Sequence, residues 1–223
     1  MKAEYVDHLG SDLTVVNAAR VSFDKQASAY RVPNADGTDR LVLWDRDKRL
    51  INYLAKHNHW TPFSHPQVTL RETVPIFVAR QRFKHTVGFT YNEVSRRYVD
   101  QEPEFFEPKE WRGRPVDKKQ GSDGVVDLSR FDASKTVPSR LNQIALETYN
   151  ELLRIGVAPE QARMVLPQSM YTSYYVTGSL AAFARAYALR SKPDAQLEIQ
   201  ELASDWDKII RPLFPESWSA LLA

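Results

Sequence analysis

Hydrophobic positions in this chain recur mostly at helical spacing, with one stretch of alternation. Leu50, Ile51, Leu54 and Ala55 follow Asp45 on one helical face, predicting a helix that breaks near His57-Asn58-His59, ahead of Thr61-Pro62. Leu141, Ile144, Ala145, Tyr149, Leu152 and Leu153 form a second apolar face, with Gly156 as its terminator. Pro159 opens a short helix that ends before Pro167. Leu180, Phe183, Ala184 and Tyr187 mark a helix running to about Arg190, and Ile199, Leu202, Ala203, Trp206 and Ile210 mark the last one, after Pro193-Asp194. Val68, Leu70 and Val74 alternate as in a strand, although Glu72 interrupts them; Pro75 then suits the first turn of a helix opened by Ile76-Phe77-Val78-Ala79. Leu13 to Phe23 reads as a short strand or turn, and the polar stretch Asp24 to Asp39, with Pro33, Asn34, Asp36 and Gly37, as a loop. Residues 100–138, rich in Pro, Gly, Lys and Asp, read as a long irregular excursion or insertion. Few strands among many helices predict an α+β fold, a single mixed domain over 1–223 with a small sheet flanked by several helices.

Composition narrows the function. With 43% hydrophobic and 26% charged residues over 223 positions, the chain can bury a substantial core without disulfides or metals. A net charge of +2 without a basic tail argues against a nucleic-acid partner held by a broad cationic surface. The absence of cysteine removes thiolate zinc sites and every mechanism that needs a Cys nucleophile. Met1 to Asp7 has no apolar core of signal-peptide length, and no apolar run approaches ~20 residues, so the expected location is cytoplasmic, with no membrane partner.

The candidate chemistry lies between Arg80 and Tyr98. On a helix from Pro75 to roughly Lys84, Arg80 and Lys84 would share one face, with Gln81 and His85 beside them. Solvated charge favoured by the helix dipole is the plain alternative for such a cluster. Gly88 allows close backbone approach, and Asn92-Glu93-Val94-Ser95-Arg96-Arg97-Tyr98 follows. Arg and Ser for phosphate, Asn and Glu for polar edges and aromatic rings for stacking suit a nucleotide.

These residues resemble the flavin-dependent thymidylate synthases, whose signature is Arg-His-Arg, seven residues and Ser, within a run ending Asn-Glu-x-Ser-x-Arg-Tyr. The tail Asn92 to Tyr98 agrees at every specified position, whereas the head has Lys84-His85-Thr86 and a spacing one residue longer. Ala18-Ala19-Arg20-Val21-Ser22-Phe23, His57-Asn58-His59-Trp60-Thr61-Pro62-Phe63-Ser64-His65, Pro75 to Gln81, Ala162-Arg163-Met164-Val165-Leu166-Pro167 and Leu189-Arg190 with Ala195 to Ile199 resemble further family blocks, in family order.

The resemblance implies a thymidylate synthase-complementing-protein-like fold and conversion of dUMP to dTMP. Methylenetetrahydrofolate would donate the one-carbon unit and NADPH-reduced FAD the hydride equivalent, without a thiolate nucleophile. It implies dUMP contacts from Gln81, Glu93, Ser95, Arg96, Arg97, Arg163 and Arg190, with Arg190 catalytic against the uracil ring. FAD would meet Ser22, His59, Thr61, Lys84, His85, Thr86, Asn92, Ser179 and Arg185. Ser179 and Ala181 stand where the family often has Asn and Arg, so Arg185, one turn on, would supply the charge that Ala181 lacks. Ser64 stands where it frequently has Glu. A homotetramer with ligands shared between subunits is also implied.

Three alternatives stay open at this level. His57, His59 and His65 fall within nine residues, but no Asp, Glu or Cys lies near them in sequence to complete a metal site, and no metal is expected. A metal-dependent nucleotide hydrolase and a non-enzymatic nucleotide- or RNA-binding module are the rival functions. Arg163 and Arg190 have a structural alternative as helix-end caps.

Overall fold

The computed structural model describes residues 1–33, 39–99, 101–117, 120–131 and 137–223. The chain opens with β1 (Lys2–Leu9), α1 (Asp12–Arg20), the hairpin of β2 (Tyr30–Pro33) and β3 (Asp39–Val42), and α2 (Asp45–Lys56). Then come β4 (Gln67–Pro75), α3 (Ile76–Arg82), β5 (Phe89–Glu93), and the small pair β6 (Arg112–Gly113) and β7 (Asp123–Val125). After α4 (Pro138–Arg154) and α5 (Pro159–Ala162), β8 (Tyr171–Ser179) leads into α6 (Leu180–Arg190), α7 (Leu197–Leu213) and α8 (Pro215–Leu222). The main sheet is antiparallel, in the order β1-β4-β8-β5. The architecture is the expected α+β arrangement of a small sheet and several helices.

One sheet face builds the core. Val68, Leu70, Glu72 and Val74 of β4 are buried, and so are Thr172, Tyr174 and Val176 of β8. Alternation places them on one side of the sheet, where Val68, Leu70, Val74, Tyr174 and Val176 form one apolar cluster with Phe183, Ile199, Leu202 and Trp206 of α6 and α7. The other side is polar, with hydroxyl pairs Thr69–Thr177 at 2.9 Å and Thr73–Ser173 at 2.8 Å.

Glu72, which breaks the apolar alternation of β4, is fully buried opposite Tyr174. Its carboxylate accepts from Arg82 Nε at 3.1 Å, Tyr174 Oη at 2.6 Å and Trp206 Nε1 at 2.8 Å. The Arg82 guanidinium is also fully buried, lying 4.4 Å from the Phe89 ring centre and 4.6 Å from that of Trp206. Burial opposes its charge most strongly, and the Glu72 carboxylate together with Tyr91 and Tyr174 outweighs that cost, raising its pKa.

Several local readings change. Residues 13–23 are helical rather than extended: Thr14 Oγ1 accepts from Ser11 N at 3.0 Å, and Val15 and Val16 turn inward together. Within Asp24 to Asp39 the ends pair as β2 and β3, and residues 34–38 of the expected loop lie outside the described residues. The excursion 100–138 carries β6, β7 and a 3-10 turn at Leu128–Arg130, and its residues 100, 118–119 and 132–136 lie outside the described set. Three strands, β1, β5 and β8, and the helix α8 had no counterpart in the periodicity. Asp12 ties α8 to α1 by accepting from Glu216 N at 3.0 Å and Ser217 N at 2.9 Å.

Arg82→Ala should cost about 3–5 kcal/mol, because it strands a buried carboxylate. Denaturant unfolding measures this; a loss below about 1 kcal/mol would contradict a structural role for the pair.

Candidate active site

The helix that was to present Arg80 and Lys84 together stops at Arg82. Phe83 N still donates to Ala79 O, but Lys84 N and His85 N reach back only three residues, to Gln81 O and Arg82 O. Tightening of this turn follows from Arg82 being drawn into the core. Lys84 is therefore exposed on a turn, while the His85 ring is half-buried.

The buried pair also holds that turn. Arg82 NH1 donates to Tyr91 Oη at 2.8 Å, and the Tyr91 hydroxyl donates to the His85 carbonyl at 2.7 Å. Burial raises the Tyr91 hydroxyl to about 12, so it remains a donor. On the other side of the turn, Arg190 at the end of α6 donates from Nε to His85 Nε2 at 2.9 Å and from NH2 to Gln81 O at 3.4 Å. Arg190 thus caps a foreign helix end, α3, rather than its own. An imidazole that accepts at Nε2 must be neutral, with its proton on Nδ1. Burial, then the charges of Arg190, Arg82 and Arg185, push His85 down to about 4.

Two cavities meet this turn. One, of about 1000 Å³, takes in Phe83 with Arg80, Glu93, Arg96 and Arg163. It brings together three of the residues expected at the nucleotide: Glu93, Arg96 and Arg163. Thr172 Oγ1 donates to Glu93 at 2.7 Å, and Arg96 is held by the Gln101 carbonyl. Arg163 is exposed, with Nε 3.3 Å from Glu160 O, the local cap foreseen as its alternative role.

The second cavity, of about 840 Å³, takes in Val87 and Gly88 with His59, Trp60, Ser64, Ser179 and Arg185. His59, Ser179 and Arg185 were all expected at the flavin. Arg185 NH2 donates to Val87 O at 2.8 Å, and Ala181, one turn earlier, lines the same space. Gly88, at φ +79°, makes its close approach to α6: a Cβ there would lie 3.0 Å from Ala182 Cβ.

Ser22, Thr61, Gln81, Lys84, His85, Thr86, Asn92, Ser95, Arg97 and Arg190 line neither space. Ser22 and Thr61 are exposed on 3-10 turns, and Asn92 is exposed on β5. Ser95 Oγ accepts from Arg97 N at 3.3 Å, and the Arg97 guanidinium lies 4.9 Å from the Tyr98 ring centre. Among the described residues no group of three His, Asp or Glu side chains is arranged to hold a metal ion.

Sequence reasoning missed Glu72, Arg82 and Tyr91. The available signal was the charged residue inside an apolar alternation, which demands a buried counter-charge.

The profile of the Thymidylate synthase complementing protein family matches residues 4–216. The flavin-dependent thymidylate synthase of Thermosipho melanesiensis is 36% identical over 97% of this chain and 88% of its own length. That of Thermus thermophilus is 34% identical over 96% of this chain and 73% of its own. The chain belongs to this family. Among solved structures, the UMP/dUMP methylase PolB from Streptomyces cacaoi, bound with 5-Br dUMP, superimposes with a TM-score of 0.80 at 31% identity, covering 98% of this chain and 93% of that one. The same enzyme bound with 5-Br UMP gives 0.79 at 29%.

The neutral His85 has a measurable consequence. Its folded pKa, about 4, lies below the ordinary 6.5, so between those values the unfolded chain binds more protons than the native one. Stability should fall as pH drops through that window. His85→Gln should lose this contribution, so its unfolding midpoint should change less between pH 6.5 and 4 than that of the wild type; parallel profiles would refute the assignment.

Proposed function

We propose that the protein is a flavin-dependent thymidylate synthase that converts dUMP to dTMP, with methylenetetrahydrofolate as one-carbon donor and NADPH as reductant of FAD. What carries this reading is near-full-length kinship with flavin-dependent synthases in a chain that has no cysteine. Activation of the uracil ring then falls to electrostatics.

In this reading Arg190 lies against the pyrimidine and favours its polarised, partly anionic form. His85 fixes the guanidinium by accepting at Nε, and Gln81 O fixes one terminal nitrogen, leaving NH1 without a partner among the described residues. The first cavity takes the nucleotide, with Arg96 and Arg163 toward phosphate and Glu93 placing it, and Gln81, Ser95 and Arg97, which do not line it, would join from beside it.

The second cavity fits a flavin. Its volume suits a large planar ligand, Trp60 is 61% exposed there for stacking, and His59, Ser179 and Arg185 supply polar contacts. Ser22, Thr61, Lys84, Thr86 and Asn92 would join them from the rim. Bound FAD supplies the reducing equivalents that complete the methyl group. Leu141 and Ile144, exposed on α4, support a homotetramer in which subunits share these ligands.

Kinship with PolB favours UMP as a second substrate for the same site.

Purified protein should show flavin absorbance and form dTMP from dUMP, methylenetetrahydrofolate and NADPH; UMP in the same assay reads the second substrate. A colourless protein that also fails to take up added FAD would overturn the proposal, and stoichiometric zinc would favour a hydrolase. Arg190→Ala should lower turnover on the order of a hundred-fold. Arg97→Ala should mainly raise KM for dUMP, by about ten- to a hundred-fold. Normal turnover in the first variant would remove Arg190 from catalysis. Arg185→Ala should weaken FAD binding, and an unchanged FAD Kd would refute the compensation for Ala181.

A further inference from the structure

Arg112 lies on β6, inside the excursion that the sequence left without a role, yet its guanidinium reaches the start of α7. It donates from Nε to Ser122 Oγ at 2.8 Å and from NH2 to Glu198 Oε1 at 2.6 Å. Glu198 is 5% exposed. Its second oxygen accepts from Gln196 Nε2 at 2.9 Å, and Gln196 Oε1 in turn accepts from Gln81 Nε2. Gln81 O accepts from Arg190, which meets His85. A continuous chain of hydrogen bonds therefore runs from the excursion to the turn between the two cavities.

The chain has a definite polarity. An ionised carboxylate only accepts, so Gln196 must turn its NH2 group toward Glu198 and its carbonyl toward Gln81. That carbonyl fixes the Gln81 carboxamide by one of its N–H groups. Arg112, with Gln196 and the Glu198 backbone N–H, holds Glu198 charged against its burial. Without Arg112, Glu198 loses its ion-pair partner and the orientation of Gln196 is less firmly held.

We propose that Arg112 is a positioning residue for the nucleotide site, acting through Glu198 and Gln196 on the side chain of Gln81. This rests on the assignment of Gln81 to nucleotide binding above. The excursion thereby acts on the site in two ways, by Gln101, Glu102 and Glu104 along the first cavity and by Arg112 from outside the sheet.

Steady-state kinetics on FAD-loaded protein test this. Arg112→Ala should raise KM for dUMP about five- to fifty-fold, the equivalent of one or two hydrogen bonds, with kcat within about twofold and FAD Kd unchanged. Arg112→Lys, which keeps a cation near Glu198, should recover most of the affinity. Gln196→Met cuts the chain while leaving the Arg112–Glu198 pair in place, and should reproduce the KM rise even if Arg112→Ala folds poorly. A wild-type KM in folded Gln196→Met or Arg112→Ala, or a lowered Tm with no KM change, would overturn the proposal and leave Arg112 a clamp for the excursion. Wild-type protein that neither binds nor turns over dUMP would instead fail the synthase reading itself, which is a distinguishable result.

Discussion

The ion pair of Glu72 and Arg82 is the constraint around which this fold is arranged. Two charges removed from water must satisfy one another and every remaining lone pair and proton, or the core does not form. Here Glu72 gathers a donor from each of three elements: Arg82 at the end of α3, Tyr174 in β8 and Trp206 in α7. Arg82 NH2 has no hydrogen-bond acceptor among the described residues, and the faces of Phe89 and Trp206 stand beside the guanidinium instead. Sheet and helices are thus positioned against one point as well as against an apolar surface.

The same pair shapes the chemistry. Pulling Arg82 inward ends α3 early and turns the next residues back over the sheet edge. Tyr91, on β5, receives a proton donor from Arg82 and passes one to the His85 carbonyl, so the turn is held at its middle. His85 then meets Arg190 as a neutral acceptor. Burial, and then the positive field of Arg190, Arg82 and Arg185, keeps this imidazole unprotonated, and the same field favours any anion that approaches. A field of this kind suits a reaction that polarises a pyrimidine without covalent help.

How much of this was legible in the sequence depended on where side chains point. Helices α2, α6 and α7 bury a stripe and leave it in the periodicity, whereas α4 buries Ala145 and Tyr149 of its apolar face and leaves Leu141 and Ile144 exposed. Strand β8 lies between two neighbours, but its inward positions are Thr172, Tyr174 and Val176 and its outward ones Ser173, Tyr175 and Thr177, so polarity does not alternate with burial. Strand β1 is an edge whose residues are mostly exposed, and it carries no apolar pattern at all. Residues 13–23 misled because the helix is short and its inward pair, Val15 and Val16, is β-branched. At the site, His59, Ser179 and Arg185 line one cavity and Glu93, Arg96 and Arg163 the other. The buried partners that organise them were invisible, because spacing along a chain does not reveal which charge faces inward.

Stability alone does not explain why a charged pair occupies this core. Well-packed apolar residues of similar volume would often serve as well, since the cost of desolvating two ions roughly cancels their attraction. An apolar pair could fill the space between the sheet and α7. It could not reach Tyr91 and, through it, the carbonyl of His85. The one contact of Arg82 that leaves the core is the one that runs toward the turn joining the two cavities. The charge therefore serves the site as well as the core, because only a charged, hydrogen-bonding side chain here can also fix the backbone of His85.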